Sequence, residues 1–232
     1  MDGPAEIGRA ALAFNLMQSR LRNFIDDRTA MIGAISHDLR TPLTRMRFRI
    51  EDVEGPVHDG LLAEVDAMEA MITEVIDFIR TASIPGARER LDLSTLVDDV
   101  VEDAKMVGSD VRIELAEPAM VEVDVLGLRR LLDNLLENAV KYGNRARIRV
   151  RTEADSAIAE IFDEGPGLPE DEIERAFEPF YRGEAARASD KAGSGLGLAV
   201  CRSIARAHGG DVNLVHGKDG FSAQVRVPLA FA

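Results

Sequence analysis

The sequence predicts a chain in two parts: an antiparallel helical hairpin that dimerises into a four-helix bundle, then a two-layer α/β sandwich. Three observations predict this. Apolar residues recur at helical spacing through the first third of the chain. Breaks at Gly55-Pro56 and Pro85-Gly86 punctuate that pattern. Beyond them, helical runs are interleaved with short strand-like runs rich in Val and Ile.

The helical part comes first. Ile7, Ala10, Phe14, Met17, Leu21 and Phe24 alternate spacings of three and four, a heptad seam that wants a partner helix. The phase then slips, as at a coiled-coil stutter, and Ile25, Ile32, Ile35, Leu39, Met46, Ile50 and Val53 carry the stripe onward. Glu54-Gly55-Pro56 ends this helix. Leu61, Leu62, Val65, Met68, Ile72, Val75, Ile76 and Ile79 mark a second helix, which Ile84-Pro85-Gly86 stops. Two helices with such broad apolar faces cannot bury them alone, whereas two hairpins packed together can, so a homodimer is expected.

The predicted divisions are 1–24, a coiled-coil entry; 25–84, the hairpin; 85–92, a linker; and 93–232, the sandwich. Within the last, helices are expected at 93–104, 125–142, 172–176 and 196–208, the last capped by Gly209-Gly210. Strands are expected at 111–115, 120–123, 147–151, 157–162, 211–215 and 223–227, in a mostly antiparallel sheet.

Composition narrows the function. The net charge of −13 disfavours nucleic acid and anionic lipid as partners, since both reward basic surfaces. Hydrophobic residues at 46% suffice for a core. The lone Cys201 excludes an intrachain disulfide and falls among apolar helix residues, where packing is its expected role. No apolar run is long enough to cross a bilayer, and no signal peptide opens the sequence.

The candidate site lies in the second part. Asn134, Asn138 and Lys141 sit at spacings of four and three, on one face of a predicted helix. The opposite face already supplies core through Leu131, Leu132, Leu135 and Leu136, so the polar face is free for chemistry. An Asn oxygen suits Mg²⁺, and Lys141 can meet phosphate as a point charge. Two glycine-rich segments follow, Asp163-Glu164-Gly165-Pro166-Gly167 and Gly193-Ser194-Gly195-Leu196-Gly197-Leu198. Neither fits a Walker A loop or a dinucleotide fingerprint. The second runs into a predicted helix, whose N-terminal N–H groups can receive phosphate oxygens.

Asn134-Leu135-Leu136-Glu137-Asn138-Ala139-Val140-Lys141-Tyr142 resembles the N box of histidine kinases. Asp163 to Gly167 resembles their first glycine box, Phe177-Glu178-Pro179-Phe180-Tyr181-Arg182-Gly183 their F box, and Gly193 to Leu198 their second glycine box. All four stand in family order. The resemblance implies the Bergerat ATP-binding fold, with Asn138 as Mg²⁺ ligand and Asn134 and Lys141 on the phosphates. It implies that Asp163 accepts from the adenine amino group, that Tyr142 packs near adenine or ribose, and that Arg182 reaches the phosphates. Gly165, Gly167, Gly183, Ser194, Gly195, Leu196, Gly197 and Leu198 complete the implied ATP site. Residues 183–193 are expected to form a mobile lid.

Of the four histidines, His37 is placed for reaction. It lies two residues from both Ile35 and Leu39, about 200° round the helix from the apolar stripe, and so faces solvent. Thr41 shares its face, Asp38 flanks it, and Pro42 should bend the helix just upstream. Such an imidazole has a free lone pair near neutral pH, and a carboxylate can hold its other proton.

Ser36-His37-Asp38-Leu39-Arg40-Thr41-Pro42-Leu43 resembles the H box of EnvZ-like, HisKA-type kinases. This implies that His37 takes the γ-phosphate of ATP, that Asp38 orients it, and that Thr41 serves dephosphorylation of a response regulator of OmpR-like kind. Residues 3–21 resemble the second helix of a HAMP domain, which implies the cytoplasmic part of a longer inner-membrane sensor kinase. Two other readings stand beside this one. A Bergerat-fold ATPase doing conformational work would carry a glutamate, able to activate water, where Asn134 stands. A non-catalytic dimeric scaffold would not bind ATP-Mg²⁺.

Overall fold

A computed structural model describes residues 12–20, 23, 38–83, 86–183, 193–217 and 220–230, with side chains between 77 and 83 excepted. The chain divides into two units, Met1–Ser83 and Ile84–Ala232.

In the first unit, residues 12–20 and 38–50 are helical; the latter is α1. A turn closed by Val53 N–H on Ile50 O leads to α2 (Pro56–Ser83). Pro56 begins α2, where its missing N–H costs nothing. Leu43, Ile50 and Val65 are buried together, with Leu62 and Ile72 against them. Arg47 ties the helices by ion pairs to Asp66 and Glu69.

This core differs from the predicted stripe. Leu43 takes the inward place, while Leu39 and Met46 are exposed in the single chain. The stripe is broader than one neighbouring helix can cover, so α2 buries one edge and leaves the other bare. Leu61 and Met68 on α2 are exposed in the same way. The heptad seam and its stutter lie largely outside the described residues.

The second unit opens with β1 (Glu89–Asp92), which pairs antiparallel with β3 (Met120–Val123). Residues 89–92, read from sequence as linker, are therefore a strand. Nothing in Glu-Arg-Leu-Asp announces a strand without the partner that pairs with it. Asp92 then caps α3 (Leu93–Met106), accepting from the Ser94 N–H and also from the Ala119 N–H. Burial alone would raise its carboxyl, but these bonds outweigh it and hold the group below the ordinary carboxylate value.

The main sheet has the order β2-β4-β5-β7-β6, with β2 (Val111–Ala116), β4 (Ala146–Glu153), β5 (Ser156–Asp163), β6 (Asp211–Gly217) and β7 (Gly220–Pro228). All pairs are antiparallel except β2 with β4, which is parallel because α4 (Val125–Gly143) crosses over between them. The predicted strand at 120–123 thus stands outside the main sheet, paired with β1.

Helices α3, α4 and α6 (Gly197–Ala207) bury their apolar faces on one side of the sheet. The other side carries ion pairs, among them Arg149 on Glu114 at 2.8 Å and Arg226 on Glu153 at 3.2 Å. The predicted helix at 172–176 resolves into a short α5 (Glu170–Ile173) and a 3₁₀ turn (Arg175–Phe177). Among the described residues, no helix is long and apolar enough to cross a membrane.

Candidate functional site

The site is built from the polar flank of α4. Leu128, Leu131, Leu132, Leu135 and Leu136 are all at or below 3% exposure, which fixes the rotation of the helix. Asn134, Asn138 and Lys141 are thereby left half-buried along its flank. Asp124 starts α4, its Oδ1 accepting from the Leu126 and Gly127 N–H groups. His208, which matched no motif, receives the Asp124 N–H on Nε2 and donates from Nδ1 to Ile204 O. It thus joins the start of α4 to the end of α6.

The far end of α4 reaches Asp163, the last residue of β5. Gly143 ends the helix there, and a Cβ on it would lie 2.6 Å from both Asp163 Cβ and Glu164 N. Only glycine admits so close an approach. The Gly165 N–H donates to Asp163 Oδ1 at 2.7 Å, and a Cβ on Gly165 would collide with the same oxygen. Burial pushes the Asp163 carboxyl above its ordinary value, and the Gly165 bond opposes this only in part. Gly167, at φ +69°, lies under His216 and Phe221, and His216 Nε2 donates to Leu168 O at 2.7 Å. His216 therefore holds the end of the first glycine segment.

The second glycine segment faces the same flank. A Cβ on Gly193 would lie 2.8 Å from Lys141 Nζ, and one on Gly197 would lie 3.7 Å from Asn138 Nδ2. Gly195, at φ +77°, abuts Tyr181 O, and its carbonyl accepts the Phe180 N–H at 3.1 Å. Ser194 Oγ accepts from the Leu196 N–H at 3.1 Å, just ahead of α6. Leu196 is buried and Leu198 half-buried. Arg182 is half-buried and Gly183 is buried beside Glu172. Tyr142 is exposed, with Lys141 Nζ 5.4 Å from its ring centroid.

The structure thus brings Asp163, Gly143, Gly165 and the Tyr142 carbonyl together at one end, and Asn138, Lys141, Gly193 and Gly197 together along the helix. Asn134 lies beside the thiol of Cys201, which donates to Leu131 O and which burial pushes up to about 12. Cys201 is fully buried, as its apolar neighbours predicted. Asp38 and Thr41 are exposed and helical in the first unit. His37 and lid residues 184–192 lie outside the described residues.

No group of three or more His, Cys, Asp or Glu side chains among the described residues could hold a metal unaided. A single Asn oxygen beside a glycine segment instead fits a hard cation that arrives with phosphates and keeps most of its waters. Asn138 fits Mg²⁺ in that sense. The backbone N–H groups at the start of α6 and a lysine fit a phosphate tail, and a recessed carboxylate fits an amino group.

Residues 123–230 match the family described as Histidine kinase-, DNA gyrase B-, and HSP90-like ATPase, which makes this part of the second unit an ATP-binding domain of that class. Over nearly its whole length, the chain is homologous to proteins named sensor histidine kinases. It is 34% identical to Sensor histidine kinase GtrS of Pseudomonas aeruginosa, covering 97% of this chain and 47% of GtrS. It is 31% identical to the histidine-protein kinase/phosphatase MprB of Mycobacterium sp. (strain KMS), covering 90% of this chain and 44% of MprB. The chain therefore spans about half the length of these relatives. The solved ATP binding domain of PrrB from Mycobacterium tuberculosis superposes with a TM-score of 0.53 at 26% identity, covering 63% of this chain and all of that one (100%).

Two outcomes follow from the Asp163 end of the site. Gly143→Ala should force Asp163 and Glu164 apart from the helix, costing about 1–3 kcal/mol by overpacking and weakening ATP binding. Urea unfolding and calorimetric titration of the variant measure both; an unchanged ATP affinity would contradict the role given to this contact. The raised pKa of Asp163 sets the second outcome. If Asp163 accepts from the adenine amino group, the ionised carboxylate is the stronger acceptor, so ATP affinity should fall as pH drops through the raised value, earlier than an ordinary Asp would allow. Above that value, the ionised group costs folding stability, because its folded pKa exceeds its unfolded one. Asp163→Asn should remove this pH step and leave only the one belonging to the phosphates.

Proposed function

We propose that this chain is the kinase core of a two-component sensor, which transfers the γ-phosphate of ATP-Mg²⁺ to His37 and from there to an aspartate of a response regulator. The observation that carries the reading is the convergence of Asp163 and the two glycine segments on the polar flank of α4. The relatives named sensor histidine kinases support it.

In this reading, Asp163 selects adenine by accepting its amino group. Asn138 helps to hold Mg²⁺, which when bound neutralises charge developing on the phosphates. Lys141, Arg182 and the N–H groups at the start of α6 position the phosphate tail, with Asn134 at its margin and Tyr142 against the base or ribose. Asp38 accepts the proton of one His37 ring nitrogen and leaves the lone pair of the other for attack. Thr41, exposed on α1, orients the water that dephosphorylates the regulator; the kinase/phosphatase name of MprB supports this second activity.

The exposed Leu39, Met46, Leu61 and Met68 support a dimer in which a second copy covers them in a four-helix bundle. In the same reading, this chain works on the cytoplasmic side of a longer membrane sensor kinase.

Incubation with γ-labelled ATP and Mg²⁺ should give acid-labile label on the chain and none on His37→Gln; equal label on that variant would falsify the assignment. Thr41→Ala should keep autophosphorylation while slowing dephosphorylation of a phosphorylated regulator, and equal phosphatase rates would remove Thr41 from that role.

A further inference from the structure

The segment from α5 to Gly183 belongs to no sheet and no long helix. It nonetheless carries Arg182. Its conformation is strained, since Phe180 sits at φ +67°, a region that a bulky residue adopts only when its surroundings impose it. One fastening is the backbone bond from Phe180 N–H to Gly195 O. The other is a side chain that the sequence gives no reason to single out.

Arg202 projects from the second turn of α6. Its guanidinium lies 3.6 Å from the centroid of the Phe177 ring. Its two terminal nitrogens donate to Glu174 Oε1 and Oε2 at 2.6 and 3.0 Å, a bidentate pair. Its Nε is 3.4 Å from Asp211 Oδ1, and the side chain is only 11% exposed. Asp211 is braced in turn by Arg206. Phe177 and Glu174 flank the turn that begins the segment, whereas Gly197, five residues before Arg202, faces Asn138. Arg202 therefore closes the side of the loop that the Gly195 bond leaves open, and both the Glu174–Phe177 turn and Phe180 are fastened to α6 or to the segment just before it.

We propose that Arg202 is a positioning residue for the phosphate tail of the nucleotide: by clamping the Glu174–Phe177 turn onto α6, it presents Arg182 together with the N–H groups at the start of that helix. The planar fork and the stacked face are both used, so lysine cannot reproduce the clamp. The adenine end, built on Asp163, Gly143 and Gly165, has no part in it. The inference rests on the ATP-binding reading and concerns how one end of the ligand is held.

The test uses the whole chain and compares binding of ATP-Mg²⁺ with binding of adenosine. Arg202→Met and Glu174→Gln should each weaken ATP, the former by about tenfold, with adenosine affinity unchanged. Arg202→Lys should fall between wild type and Arg202→Met. The double variant should be no worse than Arg202→Met alone, because both changes open one clamp. Equal losses for ATP and adenosine, or fully additive losses in the double variant, would overturn the proposal, as would an unchanged ATP affinity. A wild-type chain that bound neither ligand would instead sink the nucleotide reading itself, before the variants were compared.

Discussion

Everything at the site depends on how α4 is seated. Its leucines bury against the sheet, each worth about 2 kcal/mol, and together they allow the helix one rotation. That rotation decides where the polar flank points. It also decides that the helix ends against Asp163, where a single methyl group at residue 143 would not fit. The cap at Asp124 and the bond from His208 fix the helix along its axis. An apolar face thus aims residues it never touches.

Much of this was legible in the sequence, because the period of an apolar stripe and the polar residues opposite it are local facts. Leu131, Leu132, Leu135 and Leu136 were read as core, and they are core. Asn138 and Lys141 were read onto one flank and are found on it, with the second glycine segment facing them. The role of Gly143 was not legible, because its need arises from a strand end that only the fold brings near. The same holds for β1, whose four residues become a strand only through pairing with β3. Nothing local to Arg202 announces its role, because its stacking on Phe177 and its fork on Glu174 join residues 25 and 28 positions apart.

The helical unit shows the opposite limit. Its stripe was visible, yet the stripe alone does not say which edge the neighbouring helix covers. Leu43 took the place expected for Leu39 and Met46 because α2 packs on one edge of a face wider than itself. The bare edge is the physical reason to expect a second copy. The balance of charge points the same way on the other unit: the outer sheet face pairs its arginines with glutamates, so it offers no net field to draw a polyanion despite its basic residues.

Cys201 carries a consequence of its own. It is the one thiol in the chain, it lies at zero exposure between α6 and α4, and its side chain meets Asn134 and the Leu131 carbonyl. With its pKa pushed up to about 12, it stays protonated and poorly nucleophilic while the helices are together. A thiol reagent can reach it only when α6 lifts from α4. Its labelling rate therefore counts the openings of that seam, and the chain contains its own clock for the breathing of its nucleotide-binding wall.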